Sequence, residues 1–250
     1  MTELLPLEFE TPETDRGATK QRSVGASSAI ALLPGRIGTD ESGKGDYFGP
    51  LVIAAAWADP ATEDLLRSWG VTDSKKLSDG RARSLAAEMA KAGIPTSVVA
   101  IGPERYNDLY VKMRNLNRLL AWGHARAIEN LLEKANATEI VTDQFGDESL
   151  VRKALLDKGR QVNLIQMHQG ERDIVVAAAS VVARSEFLKR MDQLSHTIGV
   201  ELLKGAGPGV DQVAARILAR GGMDLLATVA KCHFKNTQKA EKIRGSSRAR

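Results

Sequence analysis

Three β-rich runs, RIGTDES (36 to 42), LVIAAAWA (51 to 58) and TSVVAI (96 to 101), come before any sustained helical periodicity, and Gly and Pro clusters mark their connections. A sheet must therefore form early in the chain, and later segments have to cover it. The pattern predicts a long helical region from Glu104 to Lys134, with Leu116, Leu119, Leu120, His124, Ala127, Ile128, Leu131 and Leu132 at helical spacing. TEIVTD then reads as a strand, ESLVRKALLDKG as a helix closed by Gly, and VNLIQMH as a further strand. From there the pattern is helical over 173 to 193, VDQVAARILARGG and DLLATVAKCHF. The expected class is α/β, strands early and helices late, with no internal repeat.

The ends read differently. Residues 1 to 36 mix acids, Pro, Thr, Ser and Gly without periodicity and are expected to be a poorly structured extension. The stretch from Lys231 to Arg250 holds seven Lys or Arg against one Glu, so 241 to 250 is expected to be a basic, mobile tail, either solvated or a phosphate-binding arm. The main domain is then 37 to 240. The longest apolar run, IVVAAASVVA (174 to 183), is about half of what a bilayer requires, and the acidic N-terminus lacks the basic start of a signal peptide. A single cysteine, Cys232, excludes an intramolecular disulfide and a Cys-based zinc site. A cytoplasmic monomer is the default, and a net charge of +4 is compatible with a polyanionic partner.

Four acids stand at strand ends or strand-to-helix junctions: Asp40 and Glu41 after RIGT, Asp143 after TEIVT, and Glu171 after VNLIQMHQG. A single acid at such a place is ordinarily a helix cap or turn former, but four point to a site. Clustered carboxylates repel each other and need cations, and oxygen-only donors suit Mg²⁺ or Mn²⁺. Two such ions can serve phosphodiester hydrolysis without a nucleophilic side chain. Adjacent residues of a regular strand point to opposite faces, so Asp40 and Glu41 are expected to share a site only if the strand ends or twists there, which Gly43 and Gly45 permit. Gly43, Lys44 and Gly45 supply backbone that can approach a sugar-phosphate, and a charge.

The segment TDESGKGDYFGPLVIAAAW resembles the signature of type 2 ribonucleases H, and its Tyr-Phe-Gly-Pro continuation that of ribonuclease HIII. The resemblance continues in order through VTDSKKLSD, MRNLNRLLAWGHARAIENLL, VTDQFG, GERDIVVAAASVVAR, LKGAGPGVD and HFKNTQKA, covering residues 37 to 240. It implies an RNase H-like fold, a mixed central sheet flanked by helices with a helical C-terminal part. It also implies metal-dependent endonucleolytic cleavage of RNA in RNA/DNA hybrids, leaving 3′-hydroxyl and 5′-phosphate ends. The family's catalytic, metal-binding acids fall on Asp40, Glu41, Asp143 and Glu171, with Asp173 a rival for the last. Its nucleic-acid contacts fall on the backbone of Gly43, Lys44 and Gly45, on Ser74, Lys75 and Lys76, on Asn115 and Asn117, and on Ser180. His124 sits at core spacing and reads as a packed histidine rather than a proton carrier.

Two departures from type HIII, and one from type HII, accompany the resemblance. Ribonuclease HIII enzymes usually carry a folded N-terminal substrate-binding domain, where only irregular sequence precedes the first strand. The loop reads Gly-Lys-Gly, where type HIII commonly has Gly-Thr-Gly and type HII Gly-Arg-Gly. The last tyrosine is Tyr110, while type HII enzymes use a late tyrosine at RNA-to-DNA junctions. The competing readings are incision at single embedded ribonucleotides, as in type HII, and a hybrid-binding module without chemistry.

Overall fold

The computed structural model describes residues 35 to 144 and 146 to 248. Two antiparallel strands, β1 (Gly35–Ser42) and β2 (Leu51–Ala58), open the fold and are followed by helix α1 (Pro60–Ser68). Asp59 caps α1 by accepting from the Thr62 amide at 2.8 Å, and Pro60 begins it with its φ already suited to a helix. A 3-10 turn (Ser74–Lys76) leads to α2 (Asp79–Lys91), capped by Ser78, and β3 (Thr96–Ile101) completes an antiparallel run. Next come α3 (Pro103–Met113), α4 (Leu116–Leu132), β4 (Ala137–Asp143), α5 (Glu148–Ala154), α6 (Asp157–Arg160) and β5 (Asn163–Met167). A second 3-10 turn (Gly170–Arg172) precedes α7 (Ile174–Ile198), α8 (Pro208–Ala227) and α9 (Lys235–Arg248).

The sheet order is β3-β2-β1-β4-β5, with β4 parallel to both β1 and β5. Both faces are covered, which explains why β2 lacks alternation: every residue of LVIAAAWA is buried. On one face α4 packs Leu119, Leu120, Ala127, Ile128 and Leu131 against Ile37, Ile53 and Ile140. Burying each such aliphatic side chain contributes about 1.5–3 kcal/mol. On the other face α7 lies along β1, and Gly38 permits the approach, since a Cβ there would stand 2.2 Å from the Val175 carbonyl carbon.

Several expectations are corrected. The helical region from Glu104 to Lys134 is two helices: Arg114 takes a left-handed conformation (φ 50°) and Asn115 starts α4 afresh. ESLVRKALLDKG likewise breaks at Leu155 and Leu156, because Glu129 of α4 accepts from the Leu156 and Gly159 amides (2.7 and 3.0 Å) and fixes a new helical start there. Helices α1 and α2, absent from the expected elements, are largely polar, burying Leu66 on α1 and Ala82, Leu85 and Met89 on α2. DLLATVAKCHF does not continue as a helix: α8, already broken at Gly222, stops at Ala227, and Ala230 bridges to Phe48.

The proposed extension, apart from Gly35 and Arg36, which begin β1, lies outside the described residues. The boundary placed at 240 falls inside α9, where Ala240 is fully buried against α8, so 241 to 248 is helical rather than a loose tail. Among the described residues, no helix is long and apolar enough to cross a membrane.

Candidate active site

Strand pairing assembles the core of the site. Thr39 of β1 is level with Thr142 of β4, so the next residues, Asp40 and Asp143, lie side by side on neighbouring parallel strands. Parallel register also gives them the same face, the one covered by α7. Glu171 follows in the 3-10 turn after β5. Gly170 donates its amide to Asp143 Oδ1 at 2.9 Å and sits so close that a Cβ would stand 2.8 Å from the Asp143 Cα. The turn that carries Glu171 is therefore held against Asp143 at its first position, where there is no room for a side chain.

Asp173 has a different employment. Its carboxylate caps α7 by accepting from the Val175 amide at 2.9 Å and pairs with Arg36 at 2.7 Å. Arg36 also reaches Glu63 and Glu139, tying β1, α1, β4 and α7 together. Burial works against the Arg36 charge, but the bonds from Asp173 and Glu63 raise its pKa well above the ordinary value.

Glu41 is across the sheet from Asp40. The strand does not end between them, since Asp40 and Glu41 both pair with β2, opposite Ala54 and Ile53. Alternation sends Asp40 toward Ser180 of α7 and Glu41 toward His124 of α4. The strand therefore does not end within the pair; the chain turns only after Ser42, at Gly43 (φ 87°), and the two carboxylates stay near enough for the Glu41 charge to act on Asp40. Among the described residues, no three of the His, Cys, Asp and Glu side chains are grouped so as to hold a metal ion unaided.

The two acids differ sharply in charge environment. Burial, then the neighbouring Glu41 charge, raise Asp40 to about 7, opposed by bonds from Ser180 and the Glu41 amide. Neither donor is a cation. Burial acts to raise Glu41 as well, but the His124 bond at 3.2 Å and Lys44 at 3.2 Å hold it down at about 2. The donors suit a hard divalent ion: all four are carboxylates, and at Asp40 burial and the Glu41 charge outweigh what Ser180, the Glu41 amide and His124 do to favour the ionised form.

His124 is fully buried as the sequence implies, yet it is also part of the site, bridging Thr39 Oγ1 (2.8 Å) and Glu41. The signal for this was a polar ring on an otherwise apolar helix face, which has to find partners inside. Ser180 and Ser74, both buried, share a 2.8 Å hydrogen bond, so Asp40, Ser180 and Ser74 form a line from β1 to the first 3-10 turn. Their hydroxyls serve each other and Asp40 rather than facing solvent. On that turn Lys75 and Lys76 are exposed, and Arg184 of α7 anchors it through the Ser74 carbonyl and Asp79. Asn115 uses its side chain to cap α4, accepting from the Asn117 and Arg118 amides. Asn117 packs beside Gly146, on the loop that follows Asp143.

The family model described as Ribonuclease HII matches residues 37 to 237. The chain is 42% identical over 209 residues to ribonuclease HIII of Protochlamydia amoebophila (strain UWE25), spanning 84% of this chain and 69% of the relative. It is 44% identical over 204 residues to ribonuclease HIII of Chlamydia pneumoniae, spanning 80% and 68%. The crystal structure of Bst-RNase HIII in complex with Mn²⁺ superimposes with a TM-score of 0.79 at 34% identity, covering 92% of this chain and 77% of that one.

Proposed function

The chain belongs to the ribonuclease HII family and is a ribonuclease H of the HIII kind, and from that premise we propose that it cuts the RNA strand of RNA/DNA hybrids by two-metal-ion hydrolysis, leaving 3′-hydroxyl and 5′-phosphate ends. The observation that carries this reading is the parallel register that sets Asp40 and Asp143 side by side on one sheet face, with the Gly43-Lys44-Gly45 turn at the end of the strand that carries Asp40. Asp40, Glu41, Asp143 and Glu171 are the residues to hold Mg²⁺ or Mn²⁺. The Mn²⁺ in Bst-RNase HIII supports that cofactor class. When bound, the two ions supply the activation of water and the charge that stabilises the departing O3′.

The protein's own groups do the rest. Asp40 presents a carboxylate held by Ser180 and the Glu41 amide, and Glu41 is kept ionised by His124 and Lys44. The exposed Gly45 and half-buried Lys44 offer backbone and charge to the sugar-phosphate near the scissile bond, where the 2′-hydroxyl distinguishes RNA from DNA. Lys75 and Lys76 contact phosphates, and Asn115 and Asn117 lie toward the partner strand. Ser74 and Ser180 act from behind, holding Asp40 and the lysine turn. Glu171 is the fourth ligand, and Asp173 is the helix cap. The protein works as a cytoplasmic monomer.

The test is cleavage of end-labelled duplexes with Mg²⁺, Mn²⁺ or EDTA. The substrates are a continuous RNA/DNA hybrid, a DNA duplex with one embedded ribonucleotide, and plain RNA and DNA duplexes. Metal-dependent cutting of the continuous hybrid is expected. Cutting chiefly at the single ribonucleotide would move the reading to type HII specificity, and no cutting with either metal would overturn it.

A further inference from the structure

Lys231 is fully buried, and the acceptors of its ammonium are backbone carbonyls rather than carboxylates. Its Nζ donates to Asp46 O and Gly49 O at 2.7 Å each and to Phe48 O at 3.4 Å, and it lies 5.7 Å from the centre of the Tyr106 ring. A buried charge whose hydrogen-bond acceptors are all neutral is costly, and a methionine of similar length would fill the same space without that cost. Burial pushes the amine down to about 7, against the pull of the Asp46 charge. What the lysine achieves in return is visible in the backbone it grips.

The segment from Asp46 to Gly49 is the second half of the loop that begins with the Gly-Lys-Gly turn. The Asp46 amide closes that turn by donating to Gly43 O at 3.3 Å. Its carbonyl, the next group along the chain, is taken by Lys231. Tyr47 donates to Gly205 O, and its carbonyl accepts from the Lys231 amide at 2.9 Å. Gly49 donates to Val229 O at 2.8 Å, and its carbonyl is again taken by Lys231 Nζ. One residue thus satisfies the carbonyls of Asp46, Tyr47, Phe48 and Gly49, through its amide and its ammonium. Gly205 holds the outer side, donating its amide to Asp46 Oδ1 at 2.5 Å. An ammonium, with three donors and no acceptor, suits a pocket made only of carbonyls.

We propose that Lys231 is a positioning residue for the nucleic-acid-binding loop: by gripping the carbonyls of Asp46, Phe48 and Gly49 from inside, it sets the form in which Gly43, Lys44 and Gly45 meet the sugar-phosphate backbone of the substrate. The inference rests on the function proposed above. It assigns no contact between Lys231 and substrate; the residue acts through the loop.

The test compares wild type, K231M and K231R in steady-state cleavage of a fluorescent RNA/DNA hybrid, with melting temperature and amide exchange of residues 43 to 49 measured alongside. K231M removes the charged hydrogen bonds while keeping the bulk. K231R keeps charge and donors but is too large for the carbonyl pocket, so it displaces the loop in a protein that still has a buried cation. The expected result is a KM raised about tenfold in both variants, the size of a lost charge-assisted contact. The expected kcat is within about threefold of wild type, with amides of residues 43 to 49 exchanging about tenfold faster. A purely structural lysine would lower the melting temperature and the active fraction and leave KM and loop exchange unchanged, which overturns the proposal. Should K231M not fold, K231R alone decides it on the same readouts. Failure of wild type to cleave the hybrid would instead count against the proposed function.

Discussion

Replacing Asp40 with Asn should abolish hydrolysis and, in the absence of metal, make the protein more stable. Asp40 titrates near 7 rather than at its ordinary 3.8, because it is buried beside the Glu41 charge. Once ionised it therefore costs the fold at most about 4 kcal/mol. Its carboxylate keeps some access to water and the substitution weakens its hydrogen bonding to Ser180, so the expected gain is about 1–2 kcal/mol. For a domain of this size that is about 2–8 °C in melting temperature. The sign follows from linkage. With a folded pKa above the unfolded one, Asp40 costs the fold nothing below about pH 3.8, and the penalty grows from there to about pH 7 and is constant above it. The assay is thermal unfolding in EDTA at pH 5 and pH 8, with wild type and D40N side by side. D40N should melt higher at pH 8, the difference should shrink toward pH 5, and added Mn²⁺ should raise wild type more than the variant. A D40N protein no more stable than wild type at pH 8, or an advantage independent of pH, would refute the reasoning that an uncompensated carboxylate is stored at this position.

Three further outcomes are expected. E171Q should lower kcat at least about 100-fold with little change in stability, whereas D173N should keep activity but lose about 1–2 kcal/mol through the α7 cap and the Arg36 pair, read by urea unfolding; the opposite pattern would transfer the ligand role to Asp173. Because a proton and a divalent ion compete for Asp40, the Mn²⁺ concentration that half-saturates the protein in calorimetry should rise up to about tenfold for each pH unit below 7, and a flat profile between pH 5 and 7 would rule out Asp40 as the titrating ligand. G38A forces a methyl group into the backbone of α7 at Val175, and should destabilise by about 2 kcal/mol or more in urea; an unchanged midpoint would mean that α7 does not approach β1 as closely as described.

Much of this molecule was legible in its sequence. The five strands are carried by short β-rich runs, and the acids at their ends by type and place, because strand formation and turn chemistry are local properties. The ordered motifs from TDESGKG to HFKNTQKA identified the family that the relatives bear out. Some elements escaped: α1 and α2 are predominantly polar helices that bury few residues, and the breaks at Arg114 and at Leu155–Leu156 depend on an asparagine cap and on Glu129 reaching over from another helix.

Where each side chain points was decided only by tertiary structure. The sequence presents Asp40 and Glu41 as an adjacent pair, and only an unbroken strand between two helical layers assigns one to Ser180 and the other to His124. It names Glu171 with Asp173 as a rival, and only the folded chain brings Arg36 from the start of β1 onto the Asp173 carboxylate, which also caps α7. It presents Lys231 as one basic residue among several, and only the return of residues 229 to 231 against 47 to 49 encloses it. The physical reason is common to all three: composition and periodicity specify which groups must be buried or exposed, whereas the partner that a buried polar group finds is set by long-range pairing of segments far apart in the chain.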